Sequence, residues 1–466
     1  MKKAKMRGAA KEMNSKTGSE KTLFEPTGLP PWSMTISLAL QHLVAMIVGC
    51  VTPAIMIANV TGMEQDLRVL LIQSSLVMAA VTTLLQLFPI GNKWIKFGAG
   101  LPVIFGVSFA YVPSMQAIAV TENGIAAIMG ALAIGGIVAT IVGFMVDKIH
   151  KFFPPLITGT VVFTIGLSLY PTAINYMAGG TANTYELVVE TKGLTEALVY
   201  GSWQNWLVAI ITLVVVLVLN QKGKGVFKLA SILIGMVVGY AVAAAFGMVS
   251  FSDVASASMV ATPKILPFGM VFDAAACVAI GLLFAINAVQ AIGDFTATTI
   301  GGMNREPSKE ELKGGIIAYG ISNTLASFFG GLPMATYSQN VGIVTTNKVI
   351  NRTVFATTGV FILIAGFSPK FAAILTTIPQ CVLGGATLTV FATIAMTGMK
   401  LIASQKLTAR NTTVVGLSVA LGVGITQASA SIGQLPESFI MIFGKSPVVI
   451  ATIVAVFLNI ILPKEE

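Results

Sequence analysis

Charge is the scarcest thing in this sequence. Asp, Glu, Lys and Arg make up 10% of its 466 residues and hydrophobic side chains 55%, whereas a soluble domain is about 25% charged. With a mean hydropathy of +0.85, that shortage excludes a soluble globular domain and leaves a polytopic membrane protein. Cysteine is nearly absent too. Cys50, Cys277 and Cys381 are odd in number and all lie in apolar runs, so neither a disulfide framework nor a zinc site follows, and packing accounts for them. Asp294 has no second carboxylate within a helical turn or two, and HExxH and GxSxG are missing as well, which argues against a membrane-embedded enzyme and against any cofactor or metal. The net charge of +9 sits in the N-terminal tail and short loops, where it reads as a topology signal and not as a nucleic-acid surface. That tail, residues 1–30, carries Lys2, Lys3, Lys5, Arg7, Lys11, Lys16 and Lys21 without an apolar core and small-residue cleavage site, so no cleavable signal peptide is expected.

What the chain has in abundance is apolar runs of roughly 20 residues, each long enough for a bilayer core. They must be helices, because unpaired backbone groups cannot face lipid. The runs predict an all-α polytopic protein with fourteen segments near 33–60, 68–89, 98–118, 125–146, 153–174, 204–220, 227–249, 269–298, 313–331, 337–348, 353–376, 378–402, 410–428 and 446–462. With the N-terminus inside, the outer connections hold only Arg68, Lys192, Lys264, Lys370 and Lys445 among the basic residues. That asymmetry predicts a multi-pass protein of the inner (plasma) membrane with both termini cytoplasmic. The chain also resembles itself across its midpoint: Pro154-Pro155-Leu-Ile-Thr-Gly159 opens one run much as Pro379-Gln-Cys-Val-Leu-Gly384 opens another. Two halves of seven segments would be inverted, and interrupted segments at matching places then point to a midplane site. The third segment holds Gly98, Gly100, Pro102 and Gly106 ahead of Ser108 and Phe109; the tenth is Pro333-Met-Ala-Thr-Tyr-Ser-Gln-Asn-Val-Gly342.

Nearly all the acids lie in tails or loops, but Asp294 does not. Spacings of three and four place Asn287, Gln290 and Asp294 on one face of the eighth segment. An acid inside a membrane usually faces a cavity and marks an ion or proton path. Asp273, at the outer end of that segment, reads as a solvated boundary residue. His42 is the only histidine in an apolar run, and it is a candidate either for proton transfer or for orienting a neighbouring helix. A break at the tenth segment frees backbone amides at Ser338 and Gln339, and the Gln339 side chain offers a donor beside an acceptor, as the edge of a nucleobase requires. Phe109, at the equivalent break, offers a ring on which a flat base can stack.

At these residues the chain resembles the nucleobase-ascorbate transporter family, also called nucleobase:cation symporter family 2. The resemblance runs from about Pro31 to Pro463 through Gln41-His42, Thr52-Pro53-Ala54, Phe153-Pro-Pro-Leu-Ile-Thr-Gly159, Gly293-Asp294-Phe-Thr-Ala-Thr298, Leu312-Lys-Gly-Gly315, Gln339-Asn340-Val-Gly342 and Ile378-Pro379 to Gly385. It implies two inverted seven-helix repeats, with a core domain (31–146 and 269–376) and a gate domain (147–268 and 377–463), and short strands in segments three and ten. It also implies a homodimer that imports a purine or pyrimidine base with a proton, or with sodium as in ascorbate members, and Gln339 at the motif's first place resembles the purine members that carry xanthine and uric acid. By the same resemblance Gln339 bonds the base, Ser338 gives a backbone contact, Phe109 stacks, Asn340 and Ser108 tune specificity, and Asp294 couples the proton. Gln290 stands where most bacterial members place a Glu that binds the base, Tyr319 where xanthine transporters have Asp or Asn, and Asn347 where Thr is usual. A uracil or other pyrimidine permease, and an anion transporter of the same inverted-repeat fold, are the alternatives within transport.

Overall fold

The computed structural model of the protein describes residues 21–92, 96–149 and 154–463; the basic residues up to Lys16 and the motif residue Phe153 lie outside them. The predicted apolar runs become helices. The first two are Trp32–Thr61 (α1) and Gln65–Leu87 (α2), followed by a small hairpin of Ile90–Gly91 (β1) and Lys96–Phe97 (β2). The third run is not a continuous helix: it holds a strand, Phe105–Val107 (β3), and a helix of only 8 residues, Val112–Ala119 (α3). Gly98 and Gly100, at φ +124° and +70°, turn the chain where a side chain would be strained. Next come Gly124–Phe144 (α4), Pro155–Met177 (α5), Trp203–Lys222 (α6) and Ser231–Ala245 (α7). α7 is shorter than the predicted 227–249: a separate short helix, Val226–Leu229, precedes it, and Gly247 at φ +70° ends it.

The second half holds Ala274–Met303 (α8), Lys309–Phe328 (α9), a strand Met334–Thr336 (β4) and a helix of 10 residues, Ser338–Asn347 (α10). Asp273 is not merely a solvated boundary residue: its Oδ1 accepts from the Ala276 amide at 2.7 Å and caps α8. The single helix predicted over 353–376 is also corrected. Arg352–Gly366 (α11) and Pro369–Thr376 (α12) meet at 80°, because Pro369 has no N–H to continue the ladder and its ring clashes with the preceding turn. Gln380–Ala403 (α13), Ala409–Gln427 (α14) and Pro447–Ile461 (α15) complete the chain. Among the described residues seven helices are long and apolar enough to cross a membrane, or up to nine if each bent pair is one span. The third and tenth segments fall short because a strand takes part of each.

Two helix pairs set the frame, and small residues make both possible. Where α4 crosses α9, a Cβ on Gly136 would lie 2.6 Å from the Gly320 carbonyl oxygen, and one on Gly320 would lie 2.5 Å from that of Gly136. Only hydrogen lets the backbones approach so closely. α5 and α13, the helices opened by the two similar Pro-containing stretches, pack together in the same way at Gly159 and Gly398.

Candidate functional site

The two interruptions meet. β3 and β4 pair antiparallel, with Phe105 opposite Thr336, Gly106 opposite Ala335 and Val107 opposite Met334. The Tyr337 amide donates to the Ile104 carbonyl at 3.0 Å and the Ser108 amide to that of Pro333 at 2.9 Å. Gly106 is required in this ladder, since a Cβ there would come within 2.5 Å of Cys50 Sγ and 2.6 Å of the Tyr337 ring. Tyr337 in turn donates its hydroxyl to the Val107 carbonyl at 2.7 Å.

A broken helix inside a membrane leaves backbone groups that must find partners. Side chains of α2 supply several. Thr83 Oγ1 accepts from the Phe105 amide at 3.0 Å, Gln86 Oε1 accepts from the Ala99 amide at 3.0 Å, and Ser75 Oγ accepts from the Leu332 amide at 3.2 Å. α9 contributes Asn323, whose Oδ1 accepts from the Met334 amide at 2.6 Å while its Nδ2 donates to the Met334 carbonyl at 3.2 Å. None of these supports was singled out from the sequence. The signal was present, because Ser75, Thr82, Thr83 and Gln86 recur at helical spacing within an apolar run. Replacing Asn323 by Ala leaves two buried backbone groups unpaired, at about 1–3 kcal/mol each. N323A is therefore expected to lower the unfolding temperature of the detergent-solubilised protein by several degrees; an unchanged midpoint would show that β4 holds its place without this clamp.

Beyond the strand pair lies a cavity of about 160 Å³. Ser108 and Phe109 from the third segment, Gln290 from α8, and Thr336, Tyr337, Ser338 and Gln339 from the tenth line it, and α1 contributes Val44, Ala45, Val48 and Gly49. The opposite wall is mostly apolar, with Val162 and Ile165 of α5 and Val390 and Ile394 of α13, but Thr393 and Thr397 of α13 also line it. Phe109 packs edge-on against Phe391 of α13, with ring centroids 5.0 Å apart. Gln339 is exposed on the cavity wall. The helix that Ser338 opens presents its first amides there, where they lack an intrahelical partner and carry the positive end of the helix dipole.

Asp294 does not itself line the cavity. It sits one layer behind, where Oδ2 accepts from Thr336 Oγ1 at 2.5 Å and Oδ1 accepts from Ser338 Oγ at 2.8 Å. Both hydroxyl residues line the cavity, so the carboxylate is one hydrogen bond from whatever fills it. Asn287 is brought elsewhere. It is buried, with Nδ2 donating to the Leu283 carbonyl at 3.3 Å, and it lies against Tyr111, whose hydroxyl is 2.6 Å from that of Tyr319. The shared helix face anticipated for Asn287, Gln290 and Asp294 therefore divides, and only Gln290 reaches the cavity. Asn340 points away from it towards α1, and its Nδ2 donates to the His42 carbonyl and to His42 Nδ1, both at 3.1 Å. His42 is fully buried, with its ring 4.6 Å from that of Phe355, and it ties α1 to α10.

Residues 33–431 match the model of the Permease family named Xan_ur_permease. The chain is 34% identical over 424 residues to the uric acid permease PucK of Bacillus subtilis, covering 91% of this chain and 94% of that one. It is 32% identical over 430 residues to the xanthine permease of the same organism, covering 92% and 93%. Among solved structures it is similar in fold to the transmembrane domain of a cyanobacterial bicarbonate transporter, BicA, with a TM-score of 0.56 at 16% identity over 90% of this chain and 97% of that one. A match across so much of the chain, with relatives that carry solutes, makes this a multi-pass membrane transporter and not an enzyme: it belongs to the Permease family.

Proposed function

We propose that this protein imports an oxopurine, xanthine or uric acid, together with a proton, by alternating access. One observation carries the reading. The two helix interruptions close on a single cavity that combines the Phe109 ring, the Gln290 and Gln339 amides and hydroxyls bonded to Asp294. Each part matches a feature of the ligand. A purine is flat, and an aromatic ring beside it costs little conformational entropy. Its edge alternates donors and acceptors, which a carboxamide reads with both of its polar atoms. Its keto oxygens suit the free amides at the start of α10.

Coupling follows from Ser338. Ser338 lines the cavity, and its hydroxyl donates to Asp294 Oδ1. When Asp294 is protonated its hold on that hydroxyl weakens, and Ser338 is free to bond the base; loss of the proton on the cytoplasmic side draws the hydroxyl back to the carboxylate and loosens the site. The moving parts are the core domain (31–146 and 269–376), which holds the strand pair, and the gate domain (147–268 and 377–463), which supplies the opposite wall. They are built as fourteen spans in two inverted repeats, and the protein works as a homodimer in the inner membrane with both termini cytoplasmic. One charge moving through 100 mV is worth about 2.3 kcal/mol, enough for roughly fifty-fold accumulation of a neutral base.

Purified protein in proteoliposomes tests this. Labelled xanthine should be taken up, unlabelled uric acid should compete, and uracil and sulfate should not, while xanthine addition should make the outer medium more alkaline. Competition by uracil or sulfate would favour the pyrimidine or anion reading, and uptake without proton movement would remove the symport step.

A further inference from the structure

A second cavity, of about 440 Å³, lies on the other side of α1. Ile47, Val51 and Ile55 of α1 face Leu233 and Met236 of α7 across it, with Leu375 of α12 closing a third side. α1 is the partition between the two cavities, since Val44 and Val48 belong to both linings. The volume falls within the range of ordinary ligand pockets, about 300–1,000 Å³, but its chemistry is unlike that of the first. Two polar side chains reach it, and both are already bonded inside the protein. Thr52 Oγ1 donates to the Val48 carbonyl at 2.7 Å, and the Tyr240 hydroxyl lies 2.6 Å from Thr377 Oγ1.

A buried water needs two to four polar partners, and none is on offer here. A polar solute would lose its hydrogen bonds to water and gain none in return. An empty space would in turn leave the lining without dispersion contacts. Two residues of the lining, Val237 and Ile374, are 61% and 45% exposed. Both are aliphatic and lie on apolar helices, so the medium at that opening is the hydrocarbon of the bilayer. We propose that this cavity holds one acyl chain of a membrane phospholipid, which enters sideways past Val237 and Ile374 and packs against the face of α1 that backs the transport cavity. The chain then acts as a removable part of the wall: while it is in place, α1 cannot relax away from the site.

The test is photolabelling of the whole protein in liposomes that contain a phosphatidylethanolamine with a diazirine near the end of one acyl chain. After irradiation, peptide mass spectrometry should find adducts at Val51, Ile55 and Met236, which are at most 7% exposed. Met236→Trp, which fills the space, should reduce those adducts about tenfold, the equivalent of a 1.4 kcal/mol loss in affinity. Leu233→Phe gives a second, milder filling should the Trp variant not fold. Adducts confined to Val237, Ile374 and the outer surface would overturn the proposal, as would equal deep labelling in the folded filling variants. Deep labelling by a free diazirine fatty acid alone would overturn the assignment to a phospholipid.

Discussion

Gln339→Ala is expected to lower the efficiency of xanthine uptake by about two orders of magnitude, as the loss of two hydrogen bonds of about 1.4 kcal/mol each implies. The size of the effect comes from the medium. Once bound, the edge of the base has given up its water, so truncating its partner leaves a donor and an acceptor unpaired, which costs more than the bond contributes on balance. The fold should be indifferent to the change. Gln339 is exposed on the cavity wall, whereas the packing of α10 rests on its buried neighbours Asn340, Val341, Ile343 and Val344. Uptake kinetics together with membrane abundance and unfolding temperature separate the two contributions. A variant with unaltered KM would place the base elsewhere.

Asp294→Asn should have the larger consequence for accumulation and a smaller one for binding. An amide of nearly the same shape can still accept from one hydroxyl beside it, but it carries no exchangeable charge. The variant should therefore stand in for the protonated carrier. It is expected to exchange labelled against unlabelled xanthine within a few-fold of the native rate, while uphill accumulation falls from roughly fifty-fold at 100 mV to none. Counterflow and net uptake in the same proteoliposomes give both readings. Accumulation that survives the substitution would move the coupling group away from Asp294, and loss of counterflow together with accumulation would mean that the carboxylate is needed to build the site.

Several features of the site were legible one residue at a time. A lone acid in an apolar run is costly, so Asp294 stood out; Gly and Pro in and beside the third and tenth segments marked the breaks that became β3 and β4. The supporting side chains were harder to see. Thr83, Gln86 and Asn323 are ordinary residues on long helices, and their importance lies in which distant backbone amides they meet. Asn287 shows the opposite error. Helical spacing aligned it with Asp294, yet spacing cannot say which neighbour lies against a given face, and Tyr111 and Tyr319 occupy that place. The bend between α11 and α12 was equally open to notice at Pro369, but hydropathy is blind to direction and reported one run.

By itself, then, the order of residues determined that the chain is a bundle of membrane helices, where two of them break, and which single carboxylate lies among them. These follow from local physics, because the bilayer forces each apolar run to satisfy its own backbone and glycine and proline act where they stand. The tertiary structure alone decided that the two breaks face one another, that Gln290 reaches the cavity while Asp294 waits behind two hydroxyls, and that α1 separates a polar cavity from an apolar one. Those outcomes depend on how each helix is rotated about its axis, and rotation is set by contacts between residues hundreds of positions apart, such as Gly136 with Gly320 and Asn340 with His42.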